Sequence, residues 1–408
     1  MAANKKWTVM VYLAGDNNLD RNGVADIREM KKTGSTPDIN VLAQFDRAGA
    51  GKQTKRYCLQ KGTTLDNDAL KTLGETNTGS PEALSDFIRW GLAKYPADHY
   101  LLVLWNHGQG WDDTDIYAGE RGARARLTRP GRIRHSFFRT TVANAARLAA
   151  DNSHAARAIL LDDNAKDFLD NIELKKVLES AKATLGRKLD IVGMDACLMS
   201  MAEVGYQMRE SVSYTVGSEQ TEPLDGWPYD TILSALAKQP STTPQELCKL
   251  IVKNYIASYR KSSEAVTQSA CNLSACAPFA AAFKKFSAAM KAGLADGAQA
   301  TISNVRNRVQ EYDVTDNVDL VDLCTLLGAA RVPKTLKTAC SQVIAAVRDA
   351  LGLVVASAYS GAPMKRSQGI AVYFPTRTLS PLYARLDFAK KTGWGAFLKN
   401  YLAATRSR

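Results

Sequence analysis

The chain has no CxxC pair, no apolar run long enough to span a bilayer, no D-x-[DN]-x-[DN]-G loop and only four histidines among 408 residues. Each absence removes a class of explanation. The seven cysteines (Cys58, Cys197, Cys248, Cys271, Cys276, Cys324, Cys340) are odd in number and scattered, the nearest two five positions apart in CNLSAC. A disulfide framework or structural zinc site is therefore not expected, and burial as small hydrophobes is the ordinary fate of most of them. Without the roughly 18 to 20 apolar residues that a membrane helix requires, no membrane partner is expected. The N-terminus, MAANKKWTVMVYLAGD, runs straight into strand-like sequence with no signal peptide. That fits a cytoplasmic protein or a secreted one already trimmed, so the compartment stays open. DDNAKD, at Asp162 to Asp167, lacks the glycine and the closing glutamate of a calcium loop. Asp313, Asp316, Asp319 and Asp322 recur every three residues and are expected to form a solvated helical face. No cofactor and no metal is expected, with calcium activation left open.

What is present describes a globular chain. At 45% hydrophobic residues it can bury the core of one large domain or two ordinary ones. The net charge of +12 is locally concentrated: from Arg121 to Arg139 there are seven arginines and no acid. Aromatic residues are not interleaved with basic ones in the manner of an RNA-binding surface, so nucleic acid is not expected as a partner.

Periodicity predicts alternating strands and helices over the first part of the chain. Strands are expected at Trp7 to Ala14, Ile39 to Phe45, His99 to Trp105, Leu189 to Met194 and Ser213 to Ser218, with a short apolar run at Arg157 to Leu161. Helices are expected from Leu19 to Lys32, from Ser80-Pro81-Glu82 to Tyr95, from Ile172 to Leu185, and from Leu198 onward. Nearly continuous apolar strands in this βαβα order predict an α/β fold, a mostly parallel central sheet sandwiched by helices. Later, helices dominate: Pro244 to Tyr259, Pro278 to Ala292, Ala298 to Tyr312, Asp319 to Leu327 and Lys334 to Leu351. Strands are expected there at Ala265 to Leu273, Leu353 to Ala358 and Gly369 to Phe374. We therefore expect a core over residues 1–240 and a helix-rich C-terminal elaboration over 241–408 that shares strands with the core sheet.

Ligands of an open parallel sheet bind beyond the carboxyl ends of its strands. Three segments leave such ends: Gly15-Asp16-Asn17-Asn18, Asn106-His107-Gly108-Gln109-Gly110 and Asp195-Ala196-Cys197. One histidine and one cysteine thus emerge on one edge of one sheet, as a thiol nucleophile and its proton-transfer partner require. His99, His135 and His154 read as surface or packing residues. Each of the two residues taken singly is more often structural, and the coincidence of the pair carries the reading.

The blocks VYLAGDNNLD, LLVLWNHGQGW, ILLDDNAKDFLDNIELKKVLE, DIVGMDACLMSMAEVGYQM and SEQTEPLDGWPYDTIL, in this order, closely resemble the clostripain family of bacterial cysteine peptidases. Beyond residue 235 only phrases such as VDLVDL and GIAVYFP match. The resemblance implies a caspase-like fold and an endopeptidase cutting after arginine or lysine through a His107/Cys197 dyad and a thioacyl-enzyme. It implies an oxyanion hole from the N–H groups of Gly108 and Cys197, peptide or protein substrates carrying basic residues, and a monomer. Two acids match family positions for a pocket that takes a basic side chain, Asp195 and Asp225. Asp195 could instead cap a helix starting at Cys197, and Asp225 could be a turn residue before Gly226. Glu219 and Glu222 are expected in a solvated loop. Self-processing in the arginine-rich linker is also implied, with Arg121, Arg124 and Arg126 as candidate sites; the other reading of that segment is a solvated basic loop. Two other functions stay open: a non-catalytic caspase-like scaffold, and a transpeptidase using the same dyad.

Overall fold

Lys5–Gly15 form β1, and from Trp7 to Gly15 every residue is buried. A strand apolar on both faces needs cover on both sides, and that requirement organises the first half of the chain. The computed structural model describes residues 4–112 and 159–406. By density of internal contacts the chain divides into two units: Met1–Ala196 with Glu222–Thr243, and Cys197–Thr221 with Pro244–Arg408.

In the first unit β1 pairs in parallel with β2 (Ile39–Arg47) on one side and with β5 (Ala97–Trp105) on the other. β5 pairs in parallel with β8 (Leu189–Asp195). Beyond β2 the sheet continues antiparallel through β3 (Thr54–Cys58) and β4 (Ala69–Gly74). These last two strands escape the sequence reading because TKRYC and ALKTLG carry no apolar run; an edge hairpin needs only one covered face. The helix α1 (Asp20–Thr33) sets Gly23 against Phe45, while α3 (Pro81–Lys94), which follows the short α2 (Leu65–Asp68), sets Gly91 against Met10. Phe45 is paired with Leu13, and Met10 and Leu13 lie three residues apart on β1, so the two helices cover opposite faces. The expected mostly parallel sheet between helices is what forms.

Local signals start these helices as expected. Ser80 Oγ accepts from the Ala83 N–H at 3.2 Å, with Pro81 in the first turn. The helix Asn171–Leu185 opens with a reciprocal capping box between Asp170 and Glu173, a feature worth about 1 kcal/mol. A separate hairpin, β6 (Ile159–Asp162) with β7 (Asp167–Leu169), precedes it.

The second unit is built differently. β10 (Val266–Asn272) pairs antiparallel with β9 (Val212–Gly217) and with β12 (Val354–Ser360). β11 (Asn317–Asp319) and β13 (Ala371–Tyr373) form a small antiparallel pair. Its core is aromatic: Phe283, Phe286, Phe374, Trp394 and Phe397 pack with ring centroids 4.6 to 5.7 Å apart. One expected helix is shorter than its pattern. Gln299–Arg306 stops before Tyr312, and the buried Arg306 guanidinium at its end donates to the Phe374 and Thr315 carbonyls at 2.6 Å. The acids spaced by threes do not form a solvated face. Asp319 is fully buried and caps the helix Leu320–Ala329 by accepting from the Asp322 N–H at 2.7 Å. No helix among the described residues is long and apolar enough to cross a membrane.

Candidate active site

β8 ends at Asp195, and the chain then does something the sequence pattern does not show. Instead of a helix from Leu198, residue 198 takes a left-handed backbone, φ 63°, and the next helix begins at Ala202. Tertiary hydrogen bonds replace helical ones in this turn: the Leu198 N–H donates to the Gln220 carbonyl at 3.1 Å and the Ser200 N–H to the Ser218 carbonyl at 2.8 Å. A non-glycine residue held there stores about 1–2 kcal/mol, and such strain concentrates at functional positions. Cys197 sits at the start of the strained turn, 8% exposed.

His107 leaves the tip of β5. The strand register pairs Trp105 with Asp195, and the Asn106 N–H donates to the Asp195 carbonyl at 3.3 Å. His107 and Cys197 are thus each two residues past a paired position. Asparagines brace the histidine loop. The Asn106 side-chain amide donates to the carbonyls of Ala14 and Leu161, and Asn17 Nδ2 donates to the same two carbonyls, each at 2.9 Å. The His107 N–H turns back onto Asn106 Oδ1, and His107 Nε2 lies 2.8 Å from Asn18 Oδ1. Asn18 is a functional candidate that sequence reasoning passed over. Its signal was its place in GDNNLD after a parallel strand, but an asparagine there reads first as a turn residue.

Asp195 is 5% exposed and does not cap a helix. Its Oδ2 accepts from the Tyr229 hydroxyl at 2.8 Å and from the Trp227 N–H at 3.4 Å. Burial pushes its carboxyl above the usual range, against hydrogen bonds from Glu222, Tyr229 and Trp227 that favour the charged form. Behind it lies Asp26, whose Oδ2 accepts from Trp105 Nε1–H at 2.6 Å. Burial first, then the Asp195 charge, raises Asp26 to about 9. Asp225 is exposed in a turn closed by the Gly226 N–H on the Pro223 carbonyl at 3.0 Å. Glu219 and Glu222 are not solvated: they are 2% and 4% exposed, because their loop is drawn inward by hydrogen bonds to buried groups. His99 is half-buried, its Nδ1 3.1 Å from Asp190 Oδ1 and its ring packed on Trp7.

A profile of the clostripain family matches residues 11–122 and 144–401 of this chain. The chain belongs to the clostripain family. It is 28% identical over 270 residues to the clostripain of Hathewaya histolytica, covering 60% of this chain and 44% of that relative. It therefore spans less than half the length of the curated relative. Among solved structures it resembles a secreted C11 cysteine protease from Bacteroides thetaiotaomicron in complex with an irreversible peptide inhibitor, with TM-score 0.65, 19% identity and coverage of 97% and 99% of the two chains. An inactive zymogen C11 protease from Parabacteroides distasonis matches with TM-score 0.65 and 21% identity over 96% and 99%. At those identities the structures establish the shared caspase-like fold.

A second acidic group lies elsewhere in the first unit of this clostripain-family chain. Carboxylate oxygens of Asp16, Asp46 and Glu75 lie within 4.8 Å of one another, a set of hard donors of the kind that suits a divalent cation. Burial, and then the neighbouring Asp162, raises Asp16 to about 7; Asp46 is raised to about 7 chiefly by burial, against hydrogen bonds from Thr54 and Thr78. Arg121, Arg124 and Arg126 lie outside the described residues, as do His135 and His154.

Proposed function

We propose that this protein is a cysteine endopeptidase that cleaves after arginine or lysine, with His107 and Cys197 as its dyad. The observation that carries the reading is the β5–β8 register: paired residues at the two strand ends are each followed, two positions on, by the imidazole and the thiol. Asn18 Oδ1 facing His107 Nε2 holds that nitrogen as N–H, which makes Nδ1 the nitrogen that exchanges a proton with the reaction. The Cys197 thiol gives up its proton, the thiolate adds to the scissile carbonyl, and the oxyanion is received by the N–H groups of Gly108 and Cys197. Imidazolium protonates the leaving amine, and water then attacks the thioester with the imidazole as base. Asp195 receives the basic side chain of the substrate, with Asp225 at the rim of the same pocket. Clostripain-family membership and the filled reactive positions support this over a non-catalytic scaffold.

The relative solved as an inactive zymogen supports a further part of the reading: the chain matures by cutting its own linker at Arg121, Arg124 or Arg126. No metal enters the mechanism; if calcium activates the protein, Asp16, Asp46 and Glu75 are the residues that would hold it. The test is hydrolysis of matched peptides ending in arginine, lysine or aspartate by the native protein and by Cys197→Ala. Arginine and lysine cleavage that vanishes in the variant is expected. Silence in the native protein, even after limited trypsin treatment of the linker, overturns the peptidase reading in favour of the scaffold. An added amine that is incorporated into product in preference to water indicates the transpeptidase. Protein that remains a single intact chain after prolonged incubation at active concentration overturns self-processing.

A further inference from the structure

The turn that carries Cys197 is gripped from two sides within the second unit. On one side it is held to Ser218 and Gln220, whose carbonyls accept from Ser200 and Leu198. On the other, Ser200 Oγ donates to the Gly369 carbonyl at 2.9 Å, the Ala371 N–H donates to the Ser200 carbonyl at 2.9 Å, and Met201 bridges to Ala371. Glu219 belongs to the first side by its backbone and holds the second by its carboxyl: Oε2 accepts from the Gly369 N–H at 3.1 Å. The other oxygen, Oε1, accepts from the Tyr312 hydroxyl at 2.7 Å. Asp319 completes the clasp, its Oδ2 accepting from the Gln368 N–H at 2.6 Å and lying 3.3 Å from the Tyr312 hydroxyl. Gly369 is fitted closely to this position, with φ 101° and room for no side chain: an added Cβ would come within 2.7 Å of Ser357 Cβ.

We propose that Glu219 is a positioning residue for the Cys197 nucleophile: acting through Gly369, and held by Tyr312 and Asp319, it sets the shape of the turn that presents the thiol. The proposal rests on the reading of Cys197 as the reactive cysteine, and it gives a role to the VDLVDL and GIAVYFP phrases, which contribute Asp319 and Gly369. The two buried carboxyls meet at the Tyr312 hydroxyl, which lies 2.7 Å from Glu219 Oε1 and 3.3 Å from Asp319 Oδ2. Burial and the Asp319 charge raise Glu219 well above the usual carboxylate range. The other ionisable groups around the pair are Tyr312, Cys271 and Cys324, with Asp322 next to Asp319 and paired to Arg366 at 3.2 Å. Ionisation of both carboxyls would set two anions side by side and push the Gln368–Gly369 segment off the clasp.

The experiment reads the thiol directly, by the rate of iodoacetamide alkylation at Cys197, followed by mass spectrometry of its peptide across pH 6 to 10. Glu219→Ala is expected to slow alkylation about tenfold, and to lower kcat by a similar factor with KM unchanged. Glu219→Gln, which keeps the side chain's size and an oxygen that can accept from Gly369 or Tyr312, is expected to restore both to within about twofold. A folded Glu219→Ala that alkylates at the native rate, or a Glu219→Gln as slow as the alanine variant, overturns the proposal. If Glu219→Ala does not fold, Tyr312→Phe decides: slower alkylation supports the clasp, and an unchanged rate overturns it. A native protein that alkylates Cys197 yet cleaves no peptide would remove the peptidase reading while leaving this result standing.

Discussion

Two buried acid clusters, one in each unit, differ in how far backbone amides hold them. In the first unit Asp195 and Asp26 accept from the tips of aromatic side chains, Tyr229 and Trp105, and from the Trp227 amide. Among the described residues neither acid is in an ion pair with lysine or arginine. In the second unit Glu219 and Asp319 accept from three backbone amides, those of Gly369, Gln368 and Asp322, besides the Tyr312 hydroxyl. Backbone donors tie segments together, so that cluster is a clasp. An acid held by side-chain tips, with its charge raised in energy by burial, gains most from an arriving cation. On the proposed reading, the first cluster recognises the substrate's cation and the second positions the nucleophile.

Experiments can break this contrast. The largest effect belongs to the chemistry: Cys197→Ala is expected to lower peptide hydrolysis by at least about 10³-fold, and His107→Ala nearly as much, without a change in melting temperature that tracks the loss. Next is recognition. Asp195→Asn is expected to cut kcat/KM for an arginyl peptide roughly 10²-fold, with a much smaller loss for Asp225→Asn; equal losses would contradict a buried base and an exposed rim. Asn18→Ala is expected to lower kcat about tenfold at unchanged KM, because the imidazole loses its orientation but not its pocket.

The pH dependence of KM distinguishes the clusters more finely. Asp26 and Asp195 both titrate above the usual carboxylate range, so rising pH develops the negative charge that a guanidinium needs. KM for the arginyl peptide should fall as pH rises toward 9, and Asp26→Asn should flatten that trend; a KM that rises instead would mean the cluster is not the pocket floor. The smallest effect is on stability. Glu203, in the second unit, accepts at Oε1 from the Tyr383 hydroxyl at 2.8 Å and the Tyr373 N–H at 3.1 Å, and burial raises it to about 7. The folded state therefore keeps a proton that the unfolded state has lost, and stability declines as pH rises from about 4.5 to 7. Thermal melts of Glu203→Gln should lose that slope. An unchanged slope would assign it to other groups.

Much of the first unit was legible from sequence. Buried parallel strands are written as unbroken apolar runs, and caps such as Ser80-Pro81 and Asp170 mark helix starts by local chemistry. The β3–β4 hairpin was not legible, because polar edge strands carry no periodic signal. Nor was the turn after Cys197: Leu198 and its neighbours suit a helix, and carbonyls from residues 218 and 220 overrule that preference. Glu219 and Asp319 look like surface acids on any local view, since what buries them is a hundred residues away in the chain.

The sequence by itself determined the strand and helix order of the core, the family, and which imidazole and thiol stand at strand ends, because these depend on residue type and short-range spacing. Only the tertiary structure decided which acids are buried, which of them sit side by side, and what holds the thiol's turn in a backbone that Leu198 disfavours. Those outcomes come from hydrogen bonds between segments far apart in sequence, whose strength depends on exclusion from water, and exclusion from water exists only once the chain has folded.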